Sequence, residues 1–390
     1  MEGAVYVTGM GIVSAIGNGV DQNLYALLHK QSGIVDAKLG EKTVKVGRVP
    51  LSNEQIVAAL GLGHQPISRT ALLGMMAARE AWGANEHRSN LRTGFISATS
   101  VGGMDRTEVF YEDFLTETPA DFAVLIYHDS GRSSEDIAQY LGINGWINTI
   151  STACSSGANA IMIGARMIQS GRLDRVLVGG TDALTRFTIH GFDSLMIYDR
   201  NWTRPFDNTR AGLNLGEGAA YLLLESAKSL EVTGSNPVGY VTGWGNSADA
   251  FHQTASSPEG KGAVLAMKQA MRRVSPSAIS YINAHGTGTP NNDASESEAL
   301  LTVFEGRVPP FSSTKAYTGH TLAAAGAIEA VFSLLAIREK TIWPNLNFSE
   351  AISKTALVPV IEPQKQEVTA VLSNSFGFGG NNSSLVFSPF

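Results

Sequence analysis

The 390-residue sequence predicts an α/β fold built from two similar halves. Three observations predict it. Short β-rich runs alternate with helical patterns, as in layered α/β folds. Two helical stretches are apolar or small almost all round, which marks helices buried on every side. One of these lies in the first half of the chain and the other in the second. The boundary is expected near Ser235–Pro237, a turn-like stretch, giving halves 1–235 and 236–390.

In chain order, the strand candidates are Ala4–Val7, Trp146–Ser151, Arg175–Gly179, Ala219–Leu224, Tyr281–Ala284, Thr369–Ser373 and Ser384–Phe387. The first buried helix is expected from Ser155 to Ser170, closed by Gly171, a residue suited to a helix C-terminal cap. The second is expected from about Thr321 to Arg338. Both are rich in Ala and Gly, which permits close helix packing.

Composition narrows the function classes. Apolar residues make up 43% and charged residues 16%, a globular balance with a low surface charge. Net charge is −6 and no basic block occurs, which argues against nucleic-acid binding. Met1 to Val7 has no basic region leading into a long apolar run, so no signal peptide is expected. The longest apolar stretch, Leu322 to Ile337, contains Glu329 and falls short of a membrane span. A single cysteine makes no internal disulfide and no multi-thiolate metal site. These features together point to a cytoplasmic protein.

That cysteine sits in Ser151-Thr152-Ala153-Cys154-Ser155-Ser156-Gly157, between a strand and a buried helix. A thiol at a helix N-terminus feels the positive end of the dipole, so a lowered pKa and a thiolate nucleophile are expected. The bland alternative, a buried inert cysteine, is the commoner fate of a lone Cys. Two histidines stand in Gly-rich settings. His285 follows a strand in Asn283-Ala284-His285-Gly286-Thr287-Gly288-Thr289-Pro290, and His320 opens the second buried helix after Thr314-Lys315-Ala316-Tyr317-Thr318-Gly319. His29, His64, His87, His128 and His190 have no such surroundings and read as structural. No acid or third ligand recurs at metal-ligand spacing, so no metal is expected. Glu329, nine residues into the second helix, needs a partner if buried, and Lys315 can serve. The last motif, Asn374-Ser375-Phe376-Gly377-Phe378-Gly379-Gly380-Asn381-Asn382, suggests a turn whose backbone N–H groups donate to an oxyanion. A plain β-turn is the competing reading.

Four motifs in this order, Thr-Ala-Cys-Ser-Ser-Gly, His-Gly-Thr-Gly-Thr, Thr-Lys-Ala-Tyr-Thr-Gly-His and Asn-Ser-Phe-Gly-Phe-Gly-Gly, resemble the elongating β-ketoacyl-acyl-carrier-protein synthases of the thiolase superfamily. The resemblance covers about Ile150 to the C-terminus and Val5–Gly17. Arg204-Pro205-Phe206-Asp207 and Gly216-Glu217-Gly218 share it, whereas Asp36 to Gly145 matches poorly and looks shortened.

The resemblance implies a thiolase-like fold of two βαβαβαββ halves in an α-β-α-β-α sandwich. It implies Cys154 as nucleophile, His285 and His320 completing a Cys-His-His triad, and Lys315 with Glu329 as a supporting ion pair. Phe378 is then a gatekeeper, and the Cys154 and Phe378 N–H groups the oxyanion donors. Thr287, Thr289 and Thr254 meet the pantetheine arm, while Phe192 and Phe376 join the substrate contacts. The implied reaction is decarboxylative condensation of an acyl group on Cys154 with a malonyl thioester, with no cofactor beyond the phosphopantetheine of an acyl carrier protein. Two histidines differ from the His and Asn of initiating synthases, and a biosynthetic thiolase needs a second cysteine. The implied assembly is a homodimer, or a heterodimer with a cysteine-less chain-length-factor homologue in an aryl-polyene or type II polyketide synthase.

Overall fold

The computed structural model describes residues 3–63, 66–83, 90–116 and 121–390. His64 and His87 lie outside the described residues. The first half runs β1 (Tyr6–Ser14), α1 (Arg69–Trp82), β2 (Thr93–Ala98), α2 (Ser130–Leu141), β3 (Trp146–Ile150), α3 (Ser156–Gln169), β4 (Arg175–Asp182) and β5 (Gly218–Glu225). The second runs β6 (Gly239–Ala248), α4 (Lys261–Ala270), β7 (Tyr281–Asn283), α5 (Pro290–Val303), β8 (Phe311–Ser312), α6 (Ala325–Glu339), β9 (Val371–Phe376) and β10 (Asn381–Ser388). Each reads β-α-β-α-β-α-β-β. The sheet order is β8-β7-β9-β10-β6-β1-β5-β4-β2-β3. Outward from the central β6/β1 pair, each half places its first strand, then its fifth, fourth, second and third, so the topology repeats.

The two central helices, α3 and α6, each pack on strands of both halves, while α1 and α2 cover one outer face and α4 and α5 the other. This is the layered α-β-α-β-α sandwich. Residues 325–337 of α6 are all buried, as its uniformly apolar sequence requires. The helices meet at their first turns, where small residues let backbones touch. A Cβ on Gly157 would come within 2.7 Å of Ala323 O, and one on Gly326 within 2.8 Å of Ala158 N. Both lie in the first turn of their helix, so this crossing sets how the two N-terminal ends face one another. Gly171, φ +67°, closes α3 as its sequence suggests: its N–H donates to Ile168 O and that of Arg172 to Met167 O.

Two elements differ from the sequence reading. The first strand continues past Val7 to Ser14 through Gly9 and Gly11. These glycines are not turn signals. A Cβ on either would lie 2.0 Å from a carbonyl of α1, Ala81 O or Ala77 O, so they let the helix settle on the strand. The second buried helix begins at Ala325, not Thr321, because Leu322–Ala324 form a 3-10 turn with Leu322 at φ +52°. His320 therefore precedes the helix rather than opening it. No described helix is long and apolar enough to cross a membrane.

Candidate active site

The segment between β3 and α3 turns sharply on Ala153, whose φ of +53° is left-handed backbone. Ser156 holds the turn, its Oγ accepting from Thr152 N–H at 2.7 Å and donating to Ala153 O at 2.5 Å. Cys154 stands at the apex, buried at 6% exposure. Burial pushes its thiol up to about 11, although the Lys315 charge and the N–H groups of Phe378 and of Cys154 itself pull the other way. This corrects the expected thiolate. The helix end acts in the same direction as those donors, but desolvation outweighs them, and the resting side chain is a thiol. Alkylation of Cys154 by iodoacetamide is therefore expected to rise about tenfold per pH unit between about pH 7 and 9. A rate that levels off below about pH 8 would show a lowered pKa instead.

His285 and His320 are both fully enclosed, at 2% exposure each. Their rings meet edge to face with centroids 5.5 Å apart. Desolvation, then the Lys315 charge, hold both imidazoles well below the ordinary histidine range, so both are neutral near pH 7. Their tautomers follow from their neighbours. Lys315 Nζ, which only donates, lies 3.3 Å from His285 Nδ1, and Leu322 N–H donates to His320 Nδ1 at 3.2 Å. Each Nδ1 thus accepts, and each Nε2 carries the proton.

Lys315 and Glu329 are buried at 2% and paired with one another behind His285, and Lys315 Nζ also donates to His285 O at 2.5 Å. Burial lifts Glu329 to about 7, against the pull of Lys315. Glu329 is thus not at a wet helix edge. It faces the site from the first turns of α6.

One cavity of about 270 Å³ collects the remaining expected residues. Cys154, His285, His320, Phe192, Phe376, Phe378, Thr254, Thr287 and Thr289 all line it. The rings of Phe192 and Phe378 stack at 5.7 Å, and the Thr287 and Thr289 hydroxyls bond at 2.9 Å. Thr254 is exposed at the mouth. His29, His128 and His190 lie on the surface, away from this cavity.

Three supports were not singled out from sequence. Glu296 on α5 accepts from the backbone N–H groups of His285 and Gly286 at 2.9 and 2.8 Å, and from Asn374 Nδ2 at 3.1 Å. Asp293, one turn earlier, accepts from Gly288 and Phe206 N–H. They sit in Asn292-Asp293-Ala294-Ser295-Glu296-Ser297, which reads as a polar, exposed face, yet Asp293 and Glu296 are buried at 0% and 1%. The acids replace the hydrogen bonds that the Gly-rich loop after β7 cannot make to itself. Asp182, ending β4, accepts from Thr99 Oγ1, from Ser100 and Val101 N–H, and from Ala323 N–H, so it anchors the turn after His320.

Comparison with known proteins agrees with this geometry. Residues 2–230 match the β-ketoacyl synthase N-terminal domain, and residues 238–349 match the C-terminal domain. The chain is 34% identical over 406 residues to a 3-oxoacyl-[acyl-carrier-protein] synthase 2 from Coxiella burnetii, covering 98% of both. It is similar to the solved ishigamide ketosynthase/chain length factor, with TM-score 0.91, 30% identity and 99% coverage of both chains. A ketosynthase (ApeO) in complex with its chain length factor (ApeC) from Xenorhabdus doucetiae matches at TM-score 0.87 and 32% identity, covering 99% of this chain and 98% of that one. Two matched domains and full-length relatives carry the same conclusion: the chain belongs to the β-ketoacyl synthase family.

Proposed function

We propose that this chain is a β-ketoacyl synthase that condenses an acyl group on Cys154 with malonyl-acyl carrier protein, releasing CO₂ and 3-oxoacyl-acyl carrier protein. One observation supports this most: two neutral histidines, each with its proton on Nε2, line the cavity that holds the cysteine. Cys154 attacks an acyl-carrier thioester, its proton leaves with the departing carrier thiol, and the acyl group becomes a cysteine thioester. The Cys154 and Phe378 N–H groups, which lie against the sulfur, donate to the tetrahedral oxyanion. Malonyl thioester then enters past Thr254, Thr287 and Thr289. The two Nε2–H groups donate to its carbonyl as CO₂ leaves and hold the enolate charge. The enolate carbon attacks the acyl-cysteine, the C–S bond breaks, the Cys154 thiolate takes a proton back from solvent, and a chain two carbons longer departs. Phe192, Phe376 and Phe378 keep water from the acyl-enzyme.

His285→Ala or His320→Ala is expected to slow CO₂ release from malonyl-carrier protein by about 10²–10³-fold, the scale for one lost oxyanion donor, and acylation of Cys154 much less. Stopped assays of the two half-reactions on the same preparations check this, and equal losses would refute the division of labour.

We take 1–235 and 236–390 as the working halves, and the single cysteine fits a cytoplasmic setting. For assembly, β3 supports a paired molecule. It is one of the sheet's two edge strands, with Trp146 and Ile147 38% and 37% exposed. On the helix Met104–Leu115, Val109, Tyr111, Phe114 and Leu115 are also exposed. An open edge and exposed apolar residues call for a covering subunit. A homodimer is the default, and a cysteine-less chain-length-factor homologue is the second reading, favoured by the ketosynthase/chain length factor neighbours. Assaying product formation by the chain alone and after co-expression with such a homologue decides between them and tests the condensation itself.

A further inference from the structure

Beneath the nucleophile turn, three asparagines from distant parts of the chain form one hydrogen-bonded knot. Asn381 Oδ1 accepts from Ser155 Oγ at 2.7 Å, from Asn159 Nδ2 at 2.9 Å and from Asn246 Nδ2 at 2.9 Å. Asn246 Nδ2 also reaches Asn159 Oδ1 at 2.9 Å, and Asn159 Nδ2 reaches Thr152 Oγ1 at 2.8 Å. The knot joins the residue after Cys154, the first turn of α3, the end of β6 and the first residue of β10.

Asn381 has a second attachment. Its backbone carbonyl accepts from Gly377 N–H at 2.8 Å and closes the loop that carries Phe378. That loop presses directly on the nucleophile turn. A Cβ on Gly377 would lie 3.0 Å from Thr152 O and 3.3 Å from Cys154 N. The two N–H groups at the cysteine sulfur belong to these two segments, one to Cys154 and one to Phe378. Asn381 therefore grips one donor segment with its side chain and the other with its main chain.

We infer that Asn381 is a positioning residue that sets the separation of the two oxyanion donors, through its side-chain bonds to Ser155, Asn159 and Asn246 and its backbone bond to Gly377. This rests on the acyl-transfer reading above. Threonine, serine or alanine in its place offers no planar carbonyl long enough to gather three donors. Among the described residues no hydrogen bond joins the knot to His285 or His320, so its effect belongs to acyl transfer rather than to decarboxylation.

The experiment compares two reactions of the same thiol in the full-length chain. Acylation by a saturated acyl thioester of N-acetylcysteamine passes through an oxyanion, whereas alkylation by iodoacetamide does not. Both reactions need the thiolate, which the same two N–H groups favour, so the ratio of their rates isolates the oxyanion. Asn381→Ala is expected to slow acylation about 10- to 100-fold more than alkylation, the scale of an ångström-sized misplacement, with malonyl decarboxylation near wild type. Loss of acylation and alkylation by the same factor would show a merely structural role and overturn the inference, as would no loss in either. If Asn381→Ala fails to fold, Asn246→Ala, which removes one donor, reads the same ratio: a selective fall in acylation supports the inference and an unchanged ratio overturns it. Wild-type protein that is never acylated would overturn the acyl-transfer reading, and this inference with it. Wild type that acylates beside a variant that matches it overturns this inference alone.

Discussion

Cys154→Ala is expected to lower condensation by about 10⁴-fold or more, the scale on which removal of a covalent nucleophile acts, and to abolish labelling by the thiol-directed inhibitor cerulenin. The chain has no other cysteine to take over, and the hydroxyls beside it, of Ser155 and Ser156, donate to the Thr152 and Ala153 carbonyls. Alanine keeps the small volume that the Ala153–Ser156 turn requires, so the fold should survive. His285 and His320 do not depend on the sulfur for their hydrogen bonds. The variant should therefore still decarboxylate malonyl-carrier protein while forming no acyl-enzyme, a contrast visible by intact-protein mass and CO₂ release. Substantial condensation by the variant would remove Cys154 from the mechanism.

Breaking the Lys315–Glu329 pair should produce the largest stability effect. Removing one partner of a buried pair commonly costs about 3–5 kcal/mol, because the survivor stays buried and unpaired. Glu329→Ala leaves Lys315 Nζ with only His285 O and Nδ1 to face. Lys315→Ala leaves Glu329, whose carboxyl burial already lifts to about 7. Without the cation that value rises further, and the orphaned carboxyl is neutral at about pH 6. Because the folded state then holds a proton that the unfolded state releases, stability falls with rising pH. The deficit of Lys315→Ala relative to wild type should thus be larger at about pH 8 than at about pH 6. Denaturant unfolding at both values checks it. The same substitution frees His285 Nδ1 of its donor and unsettles the tautomer, so decarboxylation should fall even where the protein stays folded. Wild-type stability in both variants would mean that the pair carries no structural role.

The residues that line the site's cavity were readable because they come in compact motifs. Cys154 between a strand and a small-residue helix, His285 and His320 in Gly-rich loops, and Glu329 inside an apolar helix each carry local signals. The central helix α6 was readable because it lacks a polar face; α3 departs from that expectation, with Arg166 exposed and Ile163, Met167 and Gln169 half-buried on its outer side. The strand through Gly9 and Gly11 was not, since a glycine that admits a helix looks the same as one that makes a turn. Glu296 and Asp293 were hidden for the opposite reason: their surroundings are polar, and only the loop after β7 reveals that they are buried. The asparagine knot joins residues 222, 135 and 87 positions apart, so no local pattern marks it.

Sequence by itself pointed to the α/β class, the paired central helices, Cys154, His285 and His320 as candidate site residues, and Lys315 as a candidate partner for Glu329, since each carries a signal in residue type and near neighbours. Tertiary structure alone decided the protonation of those groups. The Cys154 thiol is raised rather than lowered because its desolvation, which depends on what the second half packs against it, outweighs the pull of Lys315 and the Phe378 N–H. The histidine tautomers depend on a lysine and a backbone amide that reach Nδ1 only in the folded chain. Burial and long-range hydrogen bonds have no short-range signature, because they arise when segments far apart in the chain close on one another.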